Sequence, residues 1–369
     1  MLQEWIRNGT LKEGTLLPSE RQLASELGVG LATIQRAVRV LEEEGMVDNR
    51  GKRMRVIVNR QAPSFLSGTI AVVATPETPV TMPPKIAAGA PQPGYLRYIG
   101  HGAIGAVRAA GYHTMVLHPH KFGREQLDQF LLQRPLGVVL PELHYDVSIF
   151  PEFVAAFRRA GVPFVLGGSY DGVAECDRVI SDHEQGEYEV TRWLLQQGHR
   201  RILCVLPVLR FPWILEREAG YIRAMREAGV EPLPTFWDEM SPVGLPDVQA
   251  DFRVRSQYFA GCLAPFFVPQ RSVDAIVATN DSQALEIKAA CRALGVAQGF
   301  PVAGYDNFYG EIARVHPEFC PEPPVVTIDK RNYELGEELV RLLLERVENK
   351  LPAEPQVRKL APVLIPIQP

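Results

Sequence analysis

Residues Leu17–Leu41 read LPSERQLASELGVGLATIQRAVRVL, and the punctuation of this stretch decides the first domain. Ser19 followed three residues later by Gln22 makes a capping box, in which a hydroxyl accepts a backbone N–H at the start of a helix. Leu23, Ala24 and Leu27 recur behind it at helical spacing. Gly28 then supplies the residue type that closes helices in the left-handed region. After the turn, Ile34, Ala37, Val38 and Leu41 form a second apolar stripe on a helix from Leu31 to Glu44, with Gly45 as its stop. That stripe turns Gln35, Arg36 and Arg39 outward. Two short amphipathic helices joined by a glycine turn are the layout of a helix-turn-helix, whose second helix enters the DNA major groove.

The flanks agree with this reading. Leu2, Trp5 and Ile6 predict a short helix ended by Gly9, and Met46–Val58 reads as a hairpin with a basic tip. Arg50, Lys52, Arg53, Arg55 and Arg60 cluster there, although residues 1–60 hold only ten Lys/Arg against eight Asp/Glu. The net charge of −4 therefore says little about a nucleic-acid partner, and the argument rests on placement. A small helical domain with a solvated basic loop is the competing reading. The order of capping box, turn and hairpin favours a winged helix-turn-helix over residues 1–60, followed by a linker at 61–68.

Leu17-Pro18-Ser19-Glu20-Arg21-Gln22-Leu23-Ala24 resembles the opening motif of the GntR-type winged helix-turn-helix, and Arg50-Gly51 resembles its wing. The resemblance implies that Arg21 binds phosphate, that Thr33 and its neighbours lie in the major groove, and that the wing reaches the minor groove. The implied DNA-contacting set is Ser19, Arg21, Thr33, Gln35, Arg36, Arg39, Arg50 and Lys52. The chain departs from the family after the turn. Gly30-Leu31 stands where Ser-Arg is usual, and Gln35 replaces a second arginine, so two guanidinium groups able to read guanine edges are missing. Gln35 can pair with adenine instead, and Arg36 or Arg39 can contact phosphates. The operator then differs from the family's usual one, or is held more weakly.

From Thr69 the pattern changes to apolar strands alternating with amphipathic helices. Strands are expected at 70–74, 114–117, 137–140 and 163–166, with helices at 98–110, 124–133 and 150–160. Ser181 and Glu184 read as a capping box ahead of a helix at 188–197. Strands at 201–206, 275–278 and 301–305 follow, with helices at 215–228, 284–294 and 333–348, then a Pro-rich tail. Such βαβ repetition implies parallel sheets covered by helices. The fold expected over 69–369 is α/β, with two subdomains facing one cleft. Ligands in such folds bind beyond the carboxyl ends of the strands. Asp182, Arg217, Asn280, Asp281 and Asp306 fall there.

The segments 197–202 (QGHRRI), 217–221 (REAGY), 279–285 (TNDSQAL) and 304–307 (GYDN) resemble the effector domain of LacI/GalR-type regulators, in the same order. The whole chain is thus similar to AraR-like regulators, which combine the two parts. The resemblance implies a periplasmic-binding-protein-like fold that dimerises and binds a small metabolite, a sugar first. Arg217, Asn280 and Asp306 would be hydrogen-bond partners of that effector, with Asp182 beside them. Guanidinium, amide and carboxylate groups suit hydroxyl-rich ligands because each presents paired donors or acceptors. Phe211 and Trp213 can stack on a sugar face or simply pack, and Asp281 reads as a helix N-cap. The segment from Pro76 to Gly94 holds six prolines, where the family has a short loop, and is placed to act as a lid or to change ligand size.

Other signals carry less. Gly100, Gly102 and Gly105 match a dinucleotide fingerprint, but the preceding strand ends too early and no acid ends the next one, so a glycine-rich helix face is expected. His118 and His120 have metal-like spacing without a third ligand. The five cysteines are scattered and read as reduced thiols. No cofactor and no metal are expected. Hydrophobic content of 46% and charged content of 22% are those of a globular protein. No apolar run is long enough to span a membrane, and the N-terminus lacks the basic start and apolar run of a signal peptide, so a cytoplasmic location is expected. The expected function is a ligand-controlled DNA-binding transcription regulator, a repressor, acting as a homodimer on a double-stranded operator. It is not expected to be an enzyme. The alternatives are an α/β enzyme acting on a sugar or nucleotide with an accessory N-terminal domain, which lacks a nucleophile or cofactor motif, and a solute-binding protein.

Overall fold

The computed structural model describes residues 1–7, 10–12, 14–49, 55–57, 66–73, 94–117, 124–141, 150–169, 175–209, 211–240, 247–268, 270 and 272–367. The chain forms two compact units, Met1–Gly68 together with Gln133–Pro135, and Thr69–Leu132 together with Leu136–Pro369.

The first unit contains α1 (Leu2–Arg7), α2 (Glu20–Leu27), α3 (Leu31–Glu43), β1 (Val47–Asn49) and β2 (Arg55–Ile57). Ser19 caps α2, its Oγ accepting the Gln22 N–H at 3.3 Å, and Gly28 closes the helix at φ 63°. Leu23, Ile34, Val38 and Leu41 are buried against Leu2, Ile6, Met46, Val47 and Ile57 in one small core. β1 and β2 pair antiparallel, and Leu16 bridges to Val56 on the other side of β2, giving the wing a third edge. The wing tip, including Arg50 and Lys52, lies outside the described residues.

The second unit opens with β3 (Thr69–Val73), α4 (Gly94–Ala109), β4 (His113–Leu117), α5 (Arg124–Leu132), β5 (Gly137–Leu140), α6 (Phe150–Ala160), β6 (Phe164–Gly167) and β7 (Asp177–Ser181). It continues through α7 (His183–Gln196), β8 (Ile202–Pro207), α8 (Pro212–Glu227), β9 (Phe236–Asp238), α9 (Val248–Phe267), β10 (Ala275–Val277), α10 (Asp281–Ala293) and β11 (Val302–Ala303). It ends with α11 (Tyr309–Val315), β12 (Val326–Asp329), α12 (Asn332–Val347), β13 (Val357–Leu360) and β14 (Val363–Pro366). One sheet has the order β13-β7-β6-β5-β3-β4, with every pair parallel. The other has the order β11-β10-β8-β9, also parallel.

The two sheets are built alike. β12 lies beside β11, with the Gly304 and Asp306 N–H groups donating to the Val326 and Ile328 carbonyls at 2.8 Å, and β14 pairs antiparallel with β12. Strand alternation sends Ile202, Cys204 and Leu206 of β8 into one core and Leu203 and Val205 into the other. The sheet is therefore covered on both faces, as parallel sheets require. The chain passes between the two subdomains after β7, between β12 and α12, and between β13 and β14.

Several expectations need correction. Ser181 does not cap a helix at 188. It ends β7, and Asp182 caps α7 from His183, with Oδ1 accepting the Gln185 N–H at 3.0 Å. Asp281 is not an N-cap either. Asn280 holds that place, its Oδ1 accepting the Gln283 N–H at 2.9 Å. The Pro-rich tail contains two strands that were not expected, β13 and β14. Nothing in the periodicity announces α9, a 20-residue helix with Pro265 in its last turn, because its apolar residues point to several faces. As expected, by contrast, Gly100–Gly105 lie inside α4, on a helix face and not in a phosphate loop. There α4 meets α12 so closely that a Cβ on Gly102 would collide with the Tyr333 carbonyl oxygen.

Gly102→Ala tests that contact. Alanine raises helix propensity by about 1 kcal/mol, yet overpacking against backbone costs about 1–3 kcal/mol. The variant is expected to unfold at a lower temperature than the parent chain, and an unchanged or higher midpoint contradicts the close packing.

Candidate functional site: a DNA-reading head and an effector-binding body

On the head, the outward face of α3 carries Leu31, Thr33, Gln35, Arg36 and Arg39, all exposed. Arg21 and Arg36 make no ion pair among the described residues, while Arg39 pairs with Glu43 at 3.1 Å. That pair is 80% and 64% exposed, a regime in which ion pairs contribute little. Ser19 is committed to capping. Arg55, Glu20 and Glu42, which lie outside the expected DNA-contacting set, organise this surface. Arg55 of β2 donates Nη1 to Glu20 Oε1 at 2.7 Å and Nε to Glu42 Oε1, and Gln35 Nε2 donates to Glu20 Oε2 at 3.2 Å. The hydrogen bond to Glu42, above all, holds the Arg55 guanidinium above its ordinary pKa.

In the body, three of the six expected effector residues lie beyond the carboxyl ends of strands. Asp182 follows β7, Asn280 follows β10 and Asp306 follows β11. Each is partly committed: Asp182 Oδ1 also meets Lys359 Nζ at 3.0 Å, and Asp306 Oδ1 meets Lys330 Nζ at 3.0 Å. Each keeps one polar atom without a bond to a described residue, namely Oδ2 of Asp182, Nδ2 of Asn280 and Oδ2 of Asp306. Asp306 has φ 87°, strained for a residue with a Cβ, so its position is imposed by its surroundings. Phe211 and Trp213 stand half-buried at the start of α8, with the Trp213 ring 5.9 Å from His183.

Arg217 is placed differently from expectation. It is 2% exposed, and its nitrogens already have partners. Nε donates to Glu187 Oε2 at 2.7 Å, Nη1 to the Thr279 carbonyl at 2.7 Å and Nη2 to the Ala278 carbonyl at 3.2 Å, while the guanidinium lies 3.8 Å over the Tyr305 ring. Burial pushes the Glu187 carboxyl up, and Arg217 opposes it. The helical spacing of Glu187 ahead of Val190 and Thr191, both buried, is the signal that could have identified this acid as inward-facing. Asp281, also buried, accepts the Phe308 and Tyr309 N–H groups and the Thr327 hydroxyl, pinning the loop that follows β11; burial pushes its carboxyl up to about 7.

Residues 1–56 match the family described as bacterial regulatory proteins, gntR family, and residues 191–366 match the periplasmic binding protein-like domain. The chain therefore joins a gntR-family DNA-binding domain to a periplasmic-binding-protein-like domain. It is 28% identical over 352 residues to the HTH-type transcriptional regulator CelR of Thermobifida fusca, covering 89% of this chain and 92% of that protein. It is 22% identical to the arabinose metabolism transcriptional repressor of Geobacillus stearothermophilus, over 94% of this chain and 89% of the relative. Among solved structures, a CelR–cellobiose complex superposes with a TM-score of 0.58 at 22% identity, over 95% of this chain and 98% of that one. A dimeric Lac repressor superposes at 0.57 and 19% identity, over 80% and 97%. Among the described residues no helix is long and apolar enough to cross a membrane.

The buried pair makes a sharp energetic prediction. Removing one partner of a buried ion pair costs about 3–5 kcal/mol, whereas replacing both by apolar groups is often near neutral. Glu187→Leu and Arg217→Met are each expected to lower stability by that order in urea unfolding. The double variant should recover a large part of the loss, and strictly additive losses would show that the two side chains do not act as a pair.

Proposed function

We propose that this protein is a transcription repressor that binds a double-stranded operator as a homodimer in the cytoplasm. Its grip is set by a small metabolite, a sugar, held in the cleft between the two subdomains of the body. The observation that carries the reading is the presence in one chain of two unspent surfaces. One is an exposed recognition helix flanked by Arg21, Arg36 and Arg39. The other is a set of half-committed polar groups at strand ends of both sheets. Oδ2 of Asp182 and Oδ2 of Asp306 accept from ligand hydroxyls, and Nδ2 of Asn280 donates to one. Phe211 and Trp213 offer faces for the apolar side of a pyranose ring. Arg217 acts from behind these groups, by fixing the Ala278–Thr279 backbone that leads into Asn280. The cellobiose of the CelR complex and the arabinose metabolism named for the Geobacillus repressor support a sugar as the effector class. Arg50 and Lys52 complete the DNA-contacting set through the wing.

A tenfold change in operator affinity needs only about 1.4 kcal/mol, within the range of about 1–3 kcal/mol of ordinary allosteric coupling. Mobility-shift binding to the region upstream of the protein's own gene, repeated with a panel of mono- and disaccharides, tests the reading. At least one sugar is expected to shift operator affinity tenfold or more. Absence of any shift on upstream fragments at low salt would overturn it. Asp306→Ala is expected to weaken the response to that sugar by at least tenfold while operator binding without sugar is retained. A variant that still responds at parental concentrations removes Asp306 from the site.

A further inference from the structure

We propose that Gln35 reads an adenine in each half-site, and that Glu20 and Arg55 hold its amide in the reading orientation. The inference rests on the DNA-binding reading above and specifies what the recognition helix recognises. Gln35 is the fifth residue of α3, exposed on the outward face, in the N-terminal part of the helix that reaches base edges. Its Nε2 donates to Glu20 Oε2 at 3.2 Å. Glu20 is itself fixed by Arg55 Nη1 at 2.7 Å, and Arg55 by Glu42. Arg55, Glu20 and Glu42 are only 29%, 24% and 26% exposed, so this relay is sheltered from water more than a surface ion pair is.

The chemistry of the relay sets the direction of the amide. An ionised carboxylate has only acceptors. The Gln35 amide must therefore turn its NH2 toward Glu20, which spends one N–H and leaves Oε1 and the second N–H for an outside partner. Adenine presents an N6–H2 donor and an N7 acceptor in the major groove, the complement of that pair. Guanine presents O6 and N7, both acceptors, and would set O6 against Oε1. A free glutamine could flip its amide to relieve that clash only in part, whereas one clamped by Glu20 cannot flip at all. Leu31 lies one helical turn earlier on the same face and is 41% exposed. It adds apolar contact of the kind that thymine methyl groups accept, and no guanidinium stands in the first turn of α3 to favour guanine.

The test is selection of duplexes from a randomised pool by the full chain, followed by competitive anisotropy on the selected operator and its single-base variants. The parent protein is expected to require adenine at one position per half-site, with A→G there costing about ten-fold to a hundred-fold. Gln35→Ala should abolish that preference and leave the preferences at other positions in place. Glu20→Ala keeps Gln35, so a purely structural role predicts no change at this base pair. We expect the adenine preference to fall several-fold, while affinity for the A→G duplex holds or rises, because a carboxylate has been removed beside the phosphates. Two results overturn the inference while leaving DNA binding intact: a selected operator whose adenine preference survives Gln35→Ala, or one insensitive to Glu20→Ala. Failure of the folded parent chain to enrich any duplex overturns the DNA-binding reading as well.

Discussion

One guanidinium organises the effector-binding body. Arg217 sits in the middle of α8, yet it bonds Glu187 of α7 and the carbonyls of Ala278 and Thr279 beyond β10, and covers the ring of Tyr305 beyond β11. Carbonyls at the end of a buried strand need donors as surely as those within it, and here a single planar side chain supplies two of them. An uncompensated charge at that depth would be unaffordable, so Glu187 follows from Arg217 as a physical necessity. The consequence reaches the surface. With Ala278 and Thr279 fixed, Asn280 can cap α10 through Oδ1, which leaves Nδ2 without a bond to a described residue. Asp281, one residue on, turns inward to clasp the loop at Phe308 and Tyr309, which carries Asp306 with it.

The division of labour along residues 278–281 and 304–309 explains what was legible in the sequence and what was not. The apolar strands β3, β5, β6, β8 and β10 were visible as short hydrophobic runs, and the helices between them as stripes. Asn280 and Asp306 were correctly expected at strand ends, because the βαβ pattern fixes where those ends fall. What the pattern cannot show is which of two adjacent polar residues faces in. Asp281 and Arg217 look like ligand or capping groups in one dimension, and only the closure of the sheet sends them into the interior. The same limit hid β13 and β14. Alternating, Pro-flanked strands at the chain's end have no local signature until β7 and β12 are there to pair with.

The head shows the reverse case, in which local sequence carried nearly everything structural. The Ser19 cap, the Gly28 turn and the stripe on α3 all stand as read, because each is satisfied within a few residues. The missing element was again a relation between distant charges. Arg55 looks in the sequence like one more basic residue of the wing, but it is tied to Glu20 of α2 and Glu42 of α3. In the proposed reading, the amide of Gln35, held by Glu20, takes the base-reading role in place of a guanidinium at positions 31 and 35.

In the proposed repressor, operator binding and effector binding are coupled in one molecule. Coupling between two ligands is reciprocal: the factor by which effector changes operator affinity must equal the factor by which operator changes effector affinity. Calorimetric titration of the effector into the free protein and into its operator complex measures the second factor directly. A difference of tenfold or more is expected, matching the change in operator affinity. Equal effector affinities for free and operator-bound protein would contradict it.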